Sequence, residues 1–178
     1  MFSPAKSALI GSFVGPVWLL WGASFLGARA PIWLVVVGVL ACTILAWNIA
    51  SFRYVRRRQP PATDIKKPRS FGWPYRIVVI VEVLLAGGGV SLASAHHRPD
   101  LIPIIVAIVV GLHFLPLAKI FKIPGVYFLG IVVTAIPLIS LAIRDHAIRD
   151  FVACSAIGIF MLGASTALLQ RLAKGRGV

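Results

Sequence analysis

The chain has 178 residues, 59% of them hydrophobic and only 13% charged, with 18 Lys and Arg against 5 Asp and Glu for a formal net charge of +13. A soluble domain of this length cannot bury so much apolar surface, so a water-soluble globule is excluded and a lipid-facing exterior is implied. In a soluble protein the positive charge would point to nucleic acid, but here it falls between apolar runs as topology-determining loops do, and no nucleic-acid partner is expected.

The first apolar run, 8–26, is long enough for a hydrocarbon core that takes roughly 20 residues. Lys6 before it and Ala28-Arg29-Ala30 after it mimic a signal peptide with a cleavage site. The run is longer than a typical signal core, contains Pro16, Trp18 and Trp21, and is followed by Pro31, so it is read as a retained helix. The second run, 31–52, starts with Pro31, which suits a first helical turn. Trp33 and Trp47 stand near its two ends as interfacial anchors. Asn48 lies about one turn inside the inner end, where an amide can bond a neighbouring helix. Cys42 and Cys154 each sit alone in an apolar run and read as small hydrophobes.

Residues 53–74 form the only long polar stretch, expected as a basic cytoplasmic loop whose Arg-Arg-Arg, Pro-Pro and Lys-Lys-Pro-Arg elements break helices. Arg56, Arg57, Arg58, Lys66, Lys67 and Arg69 are candidates for anionic lipid head groups, each worth about 1 kcal/mol near a membrane surface. A loop that only sets topology is the plainer reading.

Runs three and four, 75–95 and 100–121, are joined by His96-His97-Arg98-Pro99, and each holds one ionisable residue deep inside: Glu82 and His113. Such residues are costly in hydrocarbon and mark a functional site by default. Runs five and six, 126–143 and 151–170, follow the turns 122–125 and 144–150. With the N terminus in the cytoplasm and six alternating spans, 14 of the 18 Lys and Arg fall on the cytoplasmic side. The expected fold is therefore all-α, a six-helix transmembrane bundle forming one integral domain over 1–178. Both termini are expected inside the cytoplasmic (inner) membrane.

That topology places Glu82 about 10 Å along the third helix and His113 roughly 9–12 Å from the same membrane face on the fourth. The two can form a carboxylate–imidazole pair, suited to a proton relay or a polar ligand anchor. Asn48, Thr134 and Thr166 reach the same inner half and are candidates to join it. Glu82, Ala86, Gly89 and Ala93 recur at helical spacing and give the third helix a small-residue face for close approach. Gly87-Gly88-Gly89 offers a second possibility, a loosened helix beside Glu82. Pro116 frees a backbone carbonyl near His113. The competing reading is structural: Glu82 and His113 lock two helices together and nothing passes them. Threonines commonly bond their own helix backbone.

On the outer side His96, His97, Asp100 and His146 offer ligand types for zinc, but their spacing matches no metal motif, and no metal or cofactor is expected. No serine carries a nucleophile-elbow or SxxK pattern, and the glycine triplet lacks the Lys that follows a phosphate loop, so the chain leans away from an enzyme. The segment Gly111-Leu112-His113-Phe114-Leu115-Pro116-Leu117 resembles one found in small uncharacterised bacterial membrane protein families. The length and six-helix layout resemble the substrate-binding subunits of energy-coupling-factor vitamin transporters. The first likeness implies no activity and the second implies only a shared layout. A polar cavity centred on Glu82 and His113 is what points to a small transporter or solute-binding membrane subunit. The alternative is a structural protein that docks a partner membrane subunit, or a second copy of itself, through its basic loop.

Overall fold

The structure is a computed structural model that describes residues 4–27, 30–58, 72–121 and 124–174. The described residues form six α-helices: α1 (Pro4–Ser24), α2 (Ala30–Arg58), α3 (Trp73–Ala95), α4 (Ile102–Phe121), α5 (Pro124–Ser140) and α6 (His146–Ala173). One 3-10 turn, Pro99–Leu101, leads into α4. Four stretches are long and apolar enough to cross a membrane: Ala30–Arg57, Trp73–Ala95, Pro99–Ile120 and His146–Ala173.

Six helices stand where the hydrophobic runs lie, and the differences are at their ends. Residues 53–58 belong to α2 and not to a loop, because arginine is a good helix former and three in a row do not break a helix. Lys66, Lys67 and Arg69 lie outside the described residues. Trp73 and Pro74 open α3, since proline is tolerated in a first turn where its missing N–H has no helical partner. Helix α5 starts two residues earlier than 126, on Pro124, for the same reason. It ends at Ser140 and not 143, where Leu141, Ala142 and Ile143 tighten into bonds to carbonyls three residues back. Helix α6 begins at His146, five residues before 151, because the Asp145 carboxylate caps it by accepting the Ile148 N–H at 2.9 Å. The Gly87–Gly89 triplet does not loosen α3, which runs unbroken through it.

The chain divides into two compact units. The first comprises α1, α2 and α6 from Ser155 onward. Its helices approach through small residues: a Cβ at Gly15 would stand 2.7 Å from Leu162 Cγ and 3.0 Å from the Gly158 carbonyl, and one at Gly158 would stand 2.8 Å from the Gly15 carbonyl. Gly11 and Gly15 form a Gly-x-x-x-Gly stripe, which lets α1 and the antiparallel α6 touch backbone to backbone. A polar clip joins α1 to α2: Asn48 Nδ2 donates to Ser12 Oγ at 2.9 Å, and Ser12 donates in turn to the Ala8 carbonyl at 2.8 Å. Both side chains are fully buried. At one end Ala8, Val55 and Leu169 pack with Phe52, Leu168 and Leu172, bringing the C-terminal ends of α2 and α6 together.

The second unit comprises α3, α4, α5 and the first turns of α6. Helices α3 and α4 run antiparallel, with Ile105 Cγ2 2.5 Å from where a Gly89 Cβ would lie. Helices α4 and α5 approach at Gly111, against Thr134, and at Gly130, against Phe114 and Leu115. At the end of α3 the Arg98 N–H bonds the Ala93 carbonyl and the His97 N–H bonds the Ser94 carbonyl, with His97 at φ 55°. That is a Schellman cap with a histidine in the left-handed position that glycine prefers.

Three substitutions test these contacts. Gly158→Val drives a branched side chain into the backbone of α1 and destabilises by about 3 kcal/mol, the upper end for overpacking; Gly38→Ala, at a site open on all sides, leaves the melting temperature in detergent unchanged or raises it. His97→Gly relieves the left-handed strain and stabilises by about 1 kcal/mol, read as a melting temperature several degrees higher.

Candidate functional site

Helices α3 and α4 bring Glu82 and His113 together: His113 Nδ1 lies 3.2 Å from Glu82 Oε1. The face of α3 that turns to α4 is the small-residue face, with Ala93 buried and Glu82, Ala86 and Gly89 half-buried, whereas Val83, Leu84, Leu85, Gly87 and Gly88 are exposed. A carboxylate therefore sits on the packed side of the helix because its neighbours one turn away are small enough for α4 to come close. The Phe114 ring lies against the imidazole with centroids 4.5 Å apart and limits its tilt.

The His113 and Glu82 side chains keep 16% and 23% of their accessible surface. His113 Nδ1 is itself sealed from solvent and has no aligned hydrogen bond. The two groups are at ion-pair distance, but the ring does not aim its nitrogen along the line to the carboxylate. A buried polar atom left this way costs about 1–3 kcal/mol, and a small rotation of either side chain completes the bond. The pair thus stands in contact without an aligned hydrogen bond.

Around it Ile77, Val78, Val81, Leu85, Val109, Leu112 and Pro116 line a cavity of about 180 Å³. Pockets that enclose drug-sized ligands run from about 300 to 1,000 Å³. This one has room for a few waters or a solute of a few heavy atoms. Pro116 withholds the N–H that would bond the Leu112 carbonyl, one residue before His113, and so adds a backbone acceptor to the same stretch.

The other expected members of the site make their bonds elsewhere within their own units. Thr134 donates to the carbonyl of Gly130 on its own helix at 2.8 Å and packs against Gly111. Asn48 and Thr166 belong to the first unit, where Asn48 clips α1 and Thr166 donates to the Leu162 carbonyl. Arg56 and Arg57 are exposed at the end of α2.

Of the residues expected on the outer side, Asp100 and His146 join Arg98, Arg149 and Asp150 in a salt-bridge network. Asp100 accepts from Arg98 through both oxygens, at 3.0 and 3.1 Å, and lies 3.5 Å from His146 Nδ1 and 3.6 Å from Arg149 Nη2. Arg149 also donates to the Asp100 carbonyl, to His146 Nδ1 at 3.0 Å and to Asp150 Oδ1 at 3.0 Å. A guanidinium can only donate, so His146 accepts at Nδ1. The Asp100 carboxylate raises the pKa of Arg98 above its ordinary value, first through their hydrogen bond and then through charge. Two cations already occupy Asp100, and His96 and His97 are exposed. Among the described residues no three His, Cys, Asp or Glu gather as metal ligands.

Sequence reading placed Arg149 and Asp150 in a polar turn, yet each side chain is only 4% exposed. The legible signal was the Asp145 cap, which starts α6 early and carries the next turn into the protein interior. Arg149→Gln strands Asp150 without its cation and destabilises by about 3 kcal/mol, as removal of one partner from a buried pair does; thermal unfolding in detergent measures it.

Compared with protein-family models, curated proteins and solved structures, the chain matches none.

Proposed function

We propose that the protein is a small integral membrane transporter, or a solute-binding subunit of one, in which Glu82 and His113 form a proton-handling site. The observation that carries this reading is the 3.2 Å approach of a carboxylate and an imidazole inside two apolar helices. Ionisable groups are costly at such positions and by default point to traffic of ions, protons or polar solutes. The small cavity supports a proton or a compact polar solute as the occupant.

In this reading all six helices span the cytoplasmic membrane, with both termini inside, so that most of the basic residues stay in the cytoplasm. The shorter α5, with 17 residues, reaches about 25 Å, enough for a bilayer that thins slightly around it. Glu82 and His113 then lie in the cytoplasmic half, open to protons from that side.

The test is reconstitution into liposomes with an entrapped pH dye, followed by an imposed pH gradient and membrane potential. Wild-type protein is expected to speed proton entry, and Glu82→Gln and His113→Ala to slow it at least tenfold. Alongside, a screen of compact polar solutes for thermal stabilisation should find ligands that raise the melting temperature of wild type but not of Glu82→Gln; a ligand at 100 times its Kd adds about 2.7 kcal/mol. Undiminished flux in both variants would remove the pair from the mechanism. Folded wild type with neither flux nor ligand would favour the structural, partner-docking reading.

A further inference from the structure

The first unit holds a second and larger hollow, independent of Glu82 and His113. It lies between α2 and α6, has a volume of about 750 Å³, and runs from Leu19 and Val37 at one end to Trp47 and Gln170 at the other. Along α6 it extends from Ile159 to Gln170, about 16 Å at 1.5 Å per residue. Its two threonines have already spent their hydroxyls: Thr43 donates to the Val39 carbonyl and Thr166 to the Leu162 carbonyl, each at 2.8 Å. With those donors committed, the lining is mostly hydrocarbon along the length, with the Trp47 indole and the Gln170 amide at the end.

That end is the cationic one. Val55 of α2 packs on Leu169 of α6, so the last turns of both helices share one end of the unit. Arg53, Arg56 and Arg57 stand exposed on α2, and Arg171 and Lys174 on α6, with Lys174 one turn beyond Gln170 on the same helix line. No Asp or Glu occurs among the described residues of this unit. Among the described residues the pattern is a long apolar slot ending in positive charge with no carboxylate in the unit. A neutral lipid would satisfy only the slot and a soluble anion only the cations.

We infer that this slot binds one acyl chain of an anionic phospholipid, with the head-group phosphate held by Arg57, Arg171, Lys174 and Gln170. The preference over a zwitterionic lipid comes from the cations, each changing affinity about fivefold near the surface. Gly163 marks the slot's wall: it lines the hollow, and nothing lies within 4 Å of where its Cβ would be. A side chain there enters the slot without touching the fold.

The experiment places the full chain in phosphatidylcholine nanodiscs containing brominated phosphatidylglycerol or, separately, brominated phosphatidylcholine. Trp47 lines the slot and is 61% exposed, so the part of the fluorescence quenching that Trp47→Phe abolishes reports the occupant. Brominated phosphatidylglycerol is expected to quench at a concentration at least tenfold lower. Combining Arg57→Gln, Arg171→Gln and Lys174→Gln should bring the two lipids to near parity. Gly163→Leu, with Ala167→Leu as a second blocking variant, should abolish the preferential quenching while leaving the melting temperature in detergent within a few degrees. Equal quenching by the two lipids in wild type overturns the assignment, as does unaltered preference in both blocking variants. A dimer that the blocking variants turn into monomer, with quenching unchanged, assigns the slot to a second copy of the chain and overturns it too.

Discussion

Polar groups in an apolar helix must find partners within reach, and this constraint orders the structure. Several hydroxyls meet it locally: Ser12, Thr43, Ser94, Thr134 and Thr166 each donate to the carbonyl four residues back. Such bonds satisfy the side chain without reference to any other helix. The groups that cannot close on their own helix are the ones that tie helices together. Asn48 reaches Ser12, Glu82 meets His113, and Arg149 reaches the Asp100 carbonyl. Leucine and valine surfaces slide over one another at little cost, so these few directional contacts set the register in which helices pair.

Close approach is the second requirement, because a hydrogen bond forms only when backbones come near. Gly11, Gly15 and Gly158 bring α1 against α6 in the first unit. Gly89 in α3 and Gly111 and Gly130 in the α4–α5 contact do the same in the second. In the α3–α4 contact a small residue and a polar contact work as a pair, since Gly89 lies two turns from Glu82 on the same face. A larger residue at Gly89 would separate the helices and leave both ionisable groups unpaired.

The two hollows differ in chemistry in a way that matches the residues around them. The one beside Glu82 and His113 is small and mostly apolar, with those two side chains as its polar groups, so it suits only a compact occupant. The one between α2 and α6 is long, with its hydroxyls already bonded, so it suits a hydrocarbon chain. Lipid held at the second would stabilise the first unit without entering the chemistry of the first hollow.

Hydrophobic run length alone determined the number and order of helices, since the burial demand of each run is a local property of its residues. It also placed Glu82 and His113 level with each other, because rise per residue and antiparallel connection are enough for that. The small-residue face of α3 was legible as helical periodicity for the same reason. Only the tertiary structure decided which polar residues share a space. Asn48, Thr134 and Thr166 looked equivalent by depth, but depth fixes one coordinate and helix rotation the other, and rotation depends on which glycine meets which neighbour. The burial of Arg149 and Asp150 was likewise hidden, because a charged dipeptide reads as solvent-facing until a partner, here Asp100 from a distant part of the chain, is brought beside it.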